Sequence, residues 1–415
     1  MKITQAKACQ VFDSRGTPTI AVCLWQDQKY GIGMAPSGAS TGSHEAFELR
    51  DGGDFFQGRG IQKTLQIFIE KIHDSLLQKD FASQQELDSL LQKIDGSDNF
   101  QNIGANTAIA TSIAFLRLQS LVQGKEVYEV IGEQFKILNS KFKIPAITPM
   151  VNVINGGKHA DSGFAIQEVM IVPVKGNTTS EKIAIAAEIF AALKEVMKEK
   201  GMSTLVGDEG GFAPTIKNVS QAFDLIQHAC AKTQYKFGDD IKIALDVAAT
   251  ELYKNGMYLI EGTQLTAKQL VNFYKDLVTK YPIMSLEDPF AEDDFEGWSM
   301  LKEQLGEKIQ IAGDDLTVTN VERMKMIKEK ELISAIIIKP NQIGTISQTL
   351  EAITLANDYG WKTIISHRSG ETEDTTIADL AYAVSSPFIK TGSMSRSERV
   401  CKYNRLIAIE EIINN

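Results

Sequence analysis

Between residues 2 and 35 apolar and polar positions alternate around turn residues at Ser14–Pro18 and Asp27–Lys29, a pattern that predicts a small antiparallel meander. The period then changes. Ile61–Leu77, Glu86–Ile94 and Asn106–Val122 carry apolar residues at spacings of three and four, as helices with one buried face do; Asn106 or Thr107 is the expected cap of the last and Gly124 its stop. Strands followed by a block of helices predict an α+β domain. From Lys136 the helical pattern fails, with Pro145 and Pro149 inside the break, so the expected domains are residues 1–135 and 136–415. Ile183–Met197 is expected as a helix packed inward against the second domain.

Beyond the break the apolar positions gather into short runs that end on a charged or imidazole side chain: IKIALD at Asp246, IMSLE at Glu287, IQIAGD at Asp314, AIIIK at Lys339, TIISH at His367 and PFIK at Lys390. Successive terminal residues are 41, 27, 25, 28 and 23 positions apart. A buried parallel strand reads as a β-branched run, and a strand, loop, helix and return take roughly 25 to 30 residues, so the runs predict repeated βα units. About 270 residues are available, near the typical length of a (β/α)8 barrel. All C-terminal strand ends of such a barrel open on one face, which brings these six residues together.

Asp246, Glu287 and Asp314 then concentrate negative charge that protonation or a hard divalent cation must neutralise, and carboxylate oxygens suit magnesium. Lys339 and Lys390 lie on later strands of the same barrel. Metal charge and desolvation both disfavour a protonated ammonium there, so one of them can serve as a base.

Composition narrows the partners. The chain has 415 residues, 43% of them apolar and 23% charged, with a formal charge of −10 and no block of lysine or arginine, which argues against nucleic acid. Cys9, Cys23, Cys230 and Cys401 lack metal-ligand spacing and are read as thiols of a reducing compartment. No signal peptide and no membrane-spanning stretch is recognised, so a cytoplasmic location is expected.

Several strings go beyond pattern. Ser37–Thr41 (SGAST) with Glu45 and Glu48–Asp51 (ELRD), Asn152–His159 (NVINGGKH), Ile166–Glu168 (IQE), Gly207–Pro214 (GDEGGFAP), Ser285–Phe290 (SLEDPF), Gly313–Asn320 (GDDLTVTN), Asn341–Thr345 (NQIGT), Ser366–Asp374 (SHRSGETED), Lys390–Gly392 and Arg396–Arg399 (RSER) resemble the enolase family, in the family's order and over essentially the whole chain. The resemblance implies an α/β fold: a C-terminal (β/α)8-type barrel whose second strand is antiparallel, preceded by an α+β cap. It implies reversible dehydration of 2-phosphoglycerate to phosphoenolpyruvate with two Mg2+ per active site. Asp246, Glu287 and Asp314 match the ligands of one magnesium, and Ser40 completes the second site. Lys339 matches the base that removes the C2 proton and Glu209 the acid that helps the 3-hydroxyl leave, with Glu168 assisting. His159, Gln167, His367, Arg368 and Ser369 match the substrate and phosphate pocket, and Lys390 the lysine facing the substrate carboxylate.

Pro340 follows the expected base and restricts Lys339 to extended backbone, which a strand end tolerates. The family often carries an acidic residue where Ala21 stands and an arginine where Ala408 stands, a pair that meets across its dimer interface. Joint loss strands no charge, so a homodimer held by apolar packing, or a higher assembly of such dimers, is expected. Two other readings stand beside the enzyme: a paralogue acting on a phosphonate analogue, and a surface-binding protein that keeps the fold, with a secondary cell-surface or secreted pool.

Overall fold

The computed structural model describes residues 1–39, 42–77, 79–135, 146–160 and 162–414. The expected meander is strands β1 (Gln5–Phe12), β2 (Pro18–Gln26) and β3 (Lys29–Met34), paired antiparallel in chain order. The helix Ala105–Gln123 covers the sheet and ends at Gly124, whose φ of 65° is the left-handed stop that glycine accepts without strain. Contact between strand and helix is backbone to backbone. A Cβ on Gly33 would lie 2.2 Å from the carbonyl oxygen of Ala110, and one on Gly31 would lie 2.3 Å from that of Ala114.

Asn106 does not cap this helix. Gly104 occupies the cap without a side-chain bond. Asn106 instead grips Leu49, accepting from its N–H at 3.2 Å and donating to its carbonyl at 3.1 Å, so the amide serves the ELRD segment rather than its own helix. Gln84–Asp95 is capped by Ser83 Oγ, which accepts from the Glu86 N–H at 3.2 Å. The expected helix over Ile61–Leu77 contains a π turn at Phe68–His73 between two α segments. One helix the pattern did not reveal, Val127–Phe135, completes the cap.

Eight strands close into a barrel: β4 (Thr148–Asn155), β5 (Glu168–Pro173), β6 (Ile241–Asp246), β7 (Ile283–Glu287), β8 (Gln310–Gly313), β9 (Ala335–Ile338), β10 (Lys362–Ser366) and β11 (Phe388–Lys390). β5 runs antiparallel to both neighbours, and β11 returns to β4 in parallel. The runs alternate in what they bury. Ile336 and Ile338 join the large core shared with the surrounding helices, whereas Ala335 and Ile337 pack with Met150, Met170, Val172, Ala244, Ala312, Ile364 and Phe388 in a separate cluster that fills the barrel. The helix Thr179–Glu199 buries Ile183, Ile189, Leu193 and Met197 against this wall, as expected.

The cap is fastened over the C-terminal mouth. Ser37 and Gly370 exchange backbone bonds of 2.7 and 2.8 Å, Arg117 pairs with Asp374 at 2.9 Å, and Asp88 accepts from the Ser347 N–H at 2.9 Å. Ala21 is buried within the chain and Ala408 is exposed. Among the described residues no helix is long and apolar enough to cross a membrane.

The glycine contact in β3 gives a stability prediction. Gly33→Ala forces strand and helix apart and should destabilise the chain by about 1–3 kcal/mol, seen as a lower urea midpoint; an unchanged midpoint contradicts the packing described.

Candidate active site

The six strand-end residues do converge. Register places Glu168, Asp246 and Glu287 side by side at the ends of β5, β6 and β7. Lys390, from β11, projects into them: its Nζ lies 3.1 Å from Glu168 Oε1, 2.9 Å from Asp246 Oδ2 and 2.8 Å from Glu287 Oε1. All four side chains are buried. Burial works against the ammonium, but these carboxylates outweigh it and hold Lys390 well above the usual lysine range. The same cation outweighs burial at Asp246 and keeps it below the carboxylate range. Glu287 goes the other way, pushed well up by burial and by Asp246.

Asp314 is held by the ammonium of Lys339 and by Gln342 Nε2 at 3.0 Å. Lys339 has φ −123° and ψ 105°, the extended backbone Pro340 demands, and Pro340 opens a short helix, Pro340–Ile343, that carries Gln342. Burial pushes Lys339 down, but Asp314 outweighs it and the group lies above its ordinary value. Asp288 sets the approach of the Asp314 loop, its two oxygens accepting from the N–H groups of Asp314 and Asp315 at 2.8 Å each.

A second constellation faces this one. Glu209 sits in the GDEGG turn, where Gly210 has φ +86° and a Cβ would stand 2.5 Å from the Ser395 carbonyl oxygen, so no side chain fits there. Glu209 Oε2 accepts from Asn152 Nδ2 at 2.9 Å, while Oε1 lies 3.3 Å from His367 Nε2 and 3.5 Å from His159 Nδ1. His159 Nδ1 is also 3.6 Å from Glu168 Oε1. Burial, then the Glu209 charge, pushes Glu168 well up; burial alone would raise Glu209 too, but the His159 and His367 rings turned toward it and the Arg399 guanidinium behind them outweigh it and hold it well down. The two carboxyls are thereby split, with the proton on Glu168.

Arg368 forms the third side. Its guanidinium grips Glu45 of the cap with Nη1 at 2.8 Å and Nη2 at 3.1 Å, and Nη1 also reaches Asn341 Oδ1 at 3.1 Å. One cavity is lined by His159, Gln167, Glu168, Glu209, Asp246, Lys339, His367, Arg368, Ser369 and Lys390, with Gly38 from the SGAST loop. Gln167 Nε2 lies 3.3 Å from Asp246 Oδ2, and Glu287 and Asp314 join through the two lysines. Ser40 lies outside the described residues.

The donor set fits a hard cation. Asp246, Glu287 and Asp314 supply only carboxylate oxygen, are buried, and balance their charge with flexible ammonium groups that a divalent ion can replace. With the lysines between them they are not the tightest groups; among the described residues those are His159, Glu168 and Glu209, and Asp288, Asp314 and Asp315. The first of these contains an imidazole, which magnesium does not favour.

Two family models match this chain: the enolase N-terminal domain over residues 3–131 and the enolase C-terminal TIM barrel domain over residues 142–415. The chain belongs to the enolase family. A curated enolase from Natranaerobius thermophilus is 45% identical over 412 residues, which cover 99% of this chain and 95% of that protein. Membership makes the chain a lyase of the phosphopyruvate hydratase class. Four residues at this enolase site were not singled out from the sequence: Asn152, Gln342, Arg399 and the orienting Asp288. Each lies inside a quoted string, so position in a motif was the available signal; residue type alone gave none.

Splitting the Glu168–Glu209 pair has a pH consequence. Below the unfolded glutamate value both states keep the Glu168 proton; above it the unfolded chain releases it and the folded chain does not, so Glu168 costs stability as pH rises toward its folded value. With EDTA present, Glu168→Gln should therefore raise the thermal midpoint more at pH 8 than at pH 4. Equal gains at both values contradict the raised carboxyl.

Proposed function

We propose that this chain catalyses the reversible, magnesium-dependent dehydration of 2-phosphoglycerate to phosphoenolpyruvate, as a glycolytic enzyme of the cytoplasm acting on a homodimeric scaffold. The observation that carries the reading is that Lys339 and Glu209, the base and acid of the assignment, line one cavity with Arg368, Ser369 and Lys390. We take residues 1–135 as the cap domain and 136–415 as the barrel domain, a boundary whose residues 136–145 lie outside the described ones.

Asp246, Glu287 and Asp314 are assigned to one Mg2+ and Ser40 to a second. A metal held there would supply positive charge at the substrate carboxylate, where negative charge develops as the C2 proton leaves. A lysine or histidine base beside one or two magnesium ions is the pattern already known for the enolase superfamily, and the assignment follows it.

The chain's own residues do the rest. Lys390, already collecting carboxylates, faces the substrate carboxylate. Arg368 offers a planar fork that grips Glu45 in this structure, and a phosphate takes the same donors. Once Asp314 has another partner, burial is no longer offset at Lys339, and its amine is freed to take the C2 proton. Glu209 must give a proton to the departing 3-hydroxyl. Its neighbours hold it well below the carboxylate range, so the incoming anion has to raise it, as a nearby like charge does. Glu168, which holds the proton of the pair, and His159 line the path of that hydroxyl.

The direct test is absorbance growth from the enol product when 2-phosphoglycerate and magnesium are added, and its absence in EDTA. Inertness toward 2-phosphoglycerate with turnover of a phosphonate analogue would move the chain to the paralogue reading; inertness toward both would favour a binding protein. Lys339→Ala should slow deuterium exchange at C2 by about 10²–10⁴-fold while substrate still binds, and exchange at the wild-type rate removes Lys339 as base. Glu209→Gln should lose turnover yet keep exchange. Asp246→Asn, Glu287→Gln and Asp314→Asn should each weaken magnesium binding in calorimetric titration; unchanged affinity in all three would refute the ligand assignment.

A further inference from the structure

Arg399 lies on the helix Ser397–Asn414, is fully buried, and sits behind the acid–base pair rather than in the cavity. Its donors go largely to carbonyls: Nη1 to that of Arg368, and Nη2 to those of Ser369 and Asp208. One contact differs in kind. Nη1 also stands 2.7 Å from Nδ1 of His367, a ring whose other nitrogen, Nε2, faces Glu209 Oε1 at 3.3 Å.

A guanidinium has only donors, so the nitrogen it meets must accept. With Nδ1 accepting, the single proton of a neutral imidazole belongs on Nε2. We propose that Arg399 is a positioning residue: by donating to Nδ1 it fixes His367 in the Nε2–H tautomer and turns an N–H, not a lone pair, toward Glu209. The inference rests on the reading of Glu209 as the acid that assists the leaving hydroxyl.

The opposite tautomer is disfavoured at both ends. It would set an N–H against the guanidinium and turn an unprotonated Nε2 toward Glu209, where that lone pair would compete for the proton the substrate needs. Burial, reinforced by Arg399, holds His367 down to about 3, so the ring remains neutral although a carboxylate faces it. Asn152 Nδ2 donates to Glu209 Oε2, and His367 Nε2, which has no hydrogen-bond partner among the described residues, lies 3.3 Å from Oε1, so the Nε2–H faces the second oxygen of the same carboxyl group. Lys402 provides a comparison on the same helix: it is equally buried, but its ammonium binds the carbonyls of Thr372 and Glu398 rather than the His367 ring.

The test is 15N NMR of the full chain labelled at its five histidines, with the His367 signals identified by their loss in His367→Gln. The wild type should give a pyridine-type Nδ1 and a pyrrole-type Nε2 for this ring. Arg399→Met should move the ring toward the other tautomer or a mixture and lower kcat by at least about 100-fold, with a much smaller change in KM. Arg399→Lys, which keeps a donor-only cation, should retain the tautomer and recover part of kcat. Lys402→Met should leave the tautomer unchanged. A protonated Nδ1 in the wild type overturns the proposal, as does Arg399→Met with an unaltered Nε2–H ring and the same loss of kcat, which would assign Arg399 to the loop carbonyls alone. If Arg399→Met does not fold, the wild-type spectrum and Arg399→Lys still decide. The tautomer is read without substrate, so a chain inert toward 2-phosphoglycerate would overturn the proposed reaction and leave this measurement standing.

Discussion

Four buried carboxylates, Glu168, Asp246, Glu287 and Asp314, meet the buried ammonium of Lys390 and the partly buried one of Lys339 at the mouth of the barrel, and the rest of the site is arranged around that imbalance. Charges taken out of water are costly unless they are paired. Here the pairing is incomplete: Asp246 stays ionised beside Lys390, while Glu168 and Glu287 are driven up by burial and by neighbouring carboxylates. The apolar strands supply the burial that makes the imbalance chemically useful. Their side chains alternate between the filled barrel and the surrounding helices, so each strand is packed on both faces up to the residue at which its charge emerges.

The cap matters because it contributes to the same electrostatic problem. Glu45 meets Arg368 across the two parts of the chain, and the Ser37–Gly370 backbone pair holds the segment after β3 against the SHRSGETED loop. An anion that takes the Arg368 fork therefore displaces a cap carboxylate as well as filling the cavity. Behind the loop, the helix Ser397–Asn414 inserts Arg399 and Lys402 beneath its carbonyls, which keeps Arg368 and Ser369 turned toward the mouth.

The barrel was legible because β-branched runs and terminal charges repeat at a spacing only a few folds explain. The antiparallel β5 was not legible from spacing; it came from the family resemblance, since a strand buried on both faces reads alike in either direction. Asn106 was misread because its side chain meets Leu49, a partner remote in sequence, and local capping patterns cannot register such a bond. Arg399 escaped notice for a related reason: a cation in a polar helical segment looks solvated until the loop that buries it is in place. Nor does sequence show which of Glu168 and Glu209 keeps a proton, because that follows from the imidazoles around Glu209.

The central claim is that the carboxylate excess is the cation-binding element of the site. Calorimetric titration with magnesium in buffers of different ionisation enthalpy at neutral pH tests it most directly, because a cation entering a set of partly protonated, ammonium-paired carboxylates must expel protons. The account predicts net proton release, seen as a binding heat that depends on the buffer, and a smaller release when Glu287→Gln removes one of the raised carboxyls. Binding heats that are the same in every buffer would contradict it.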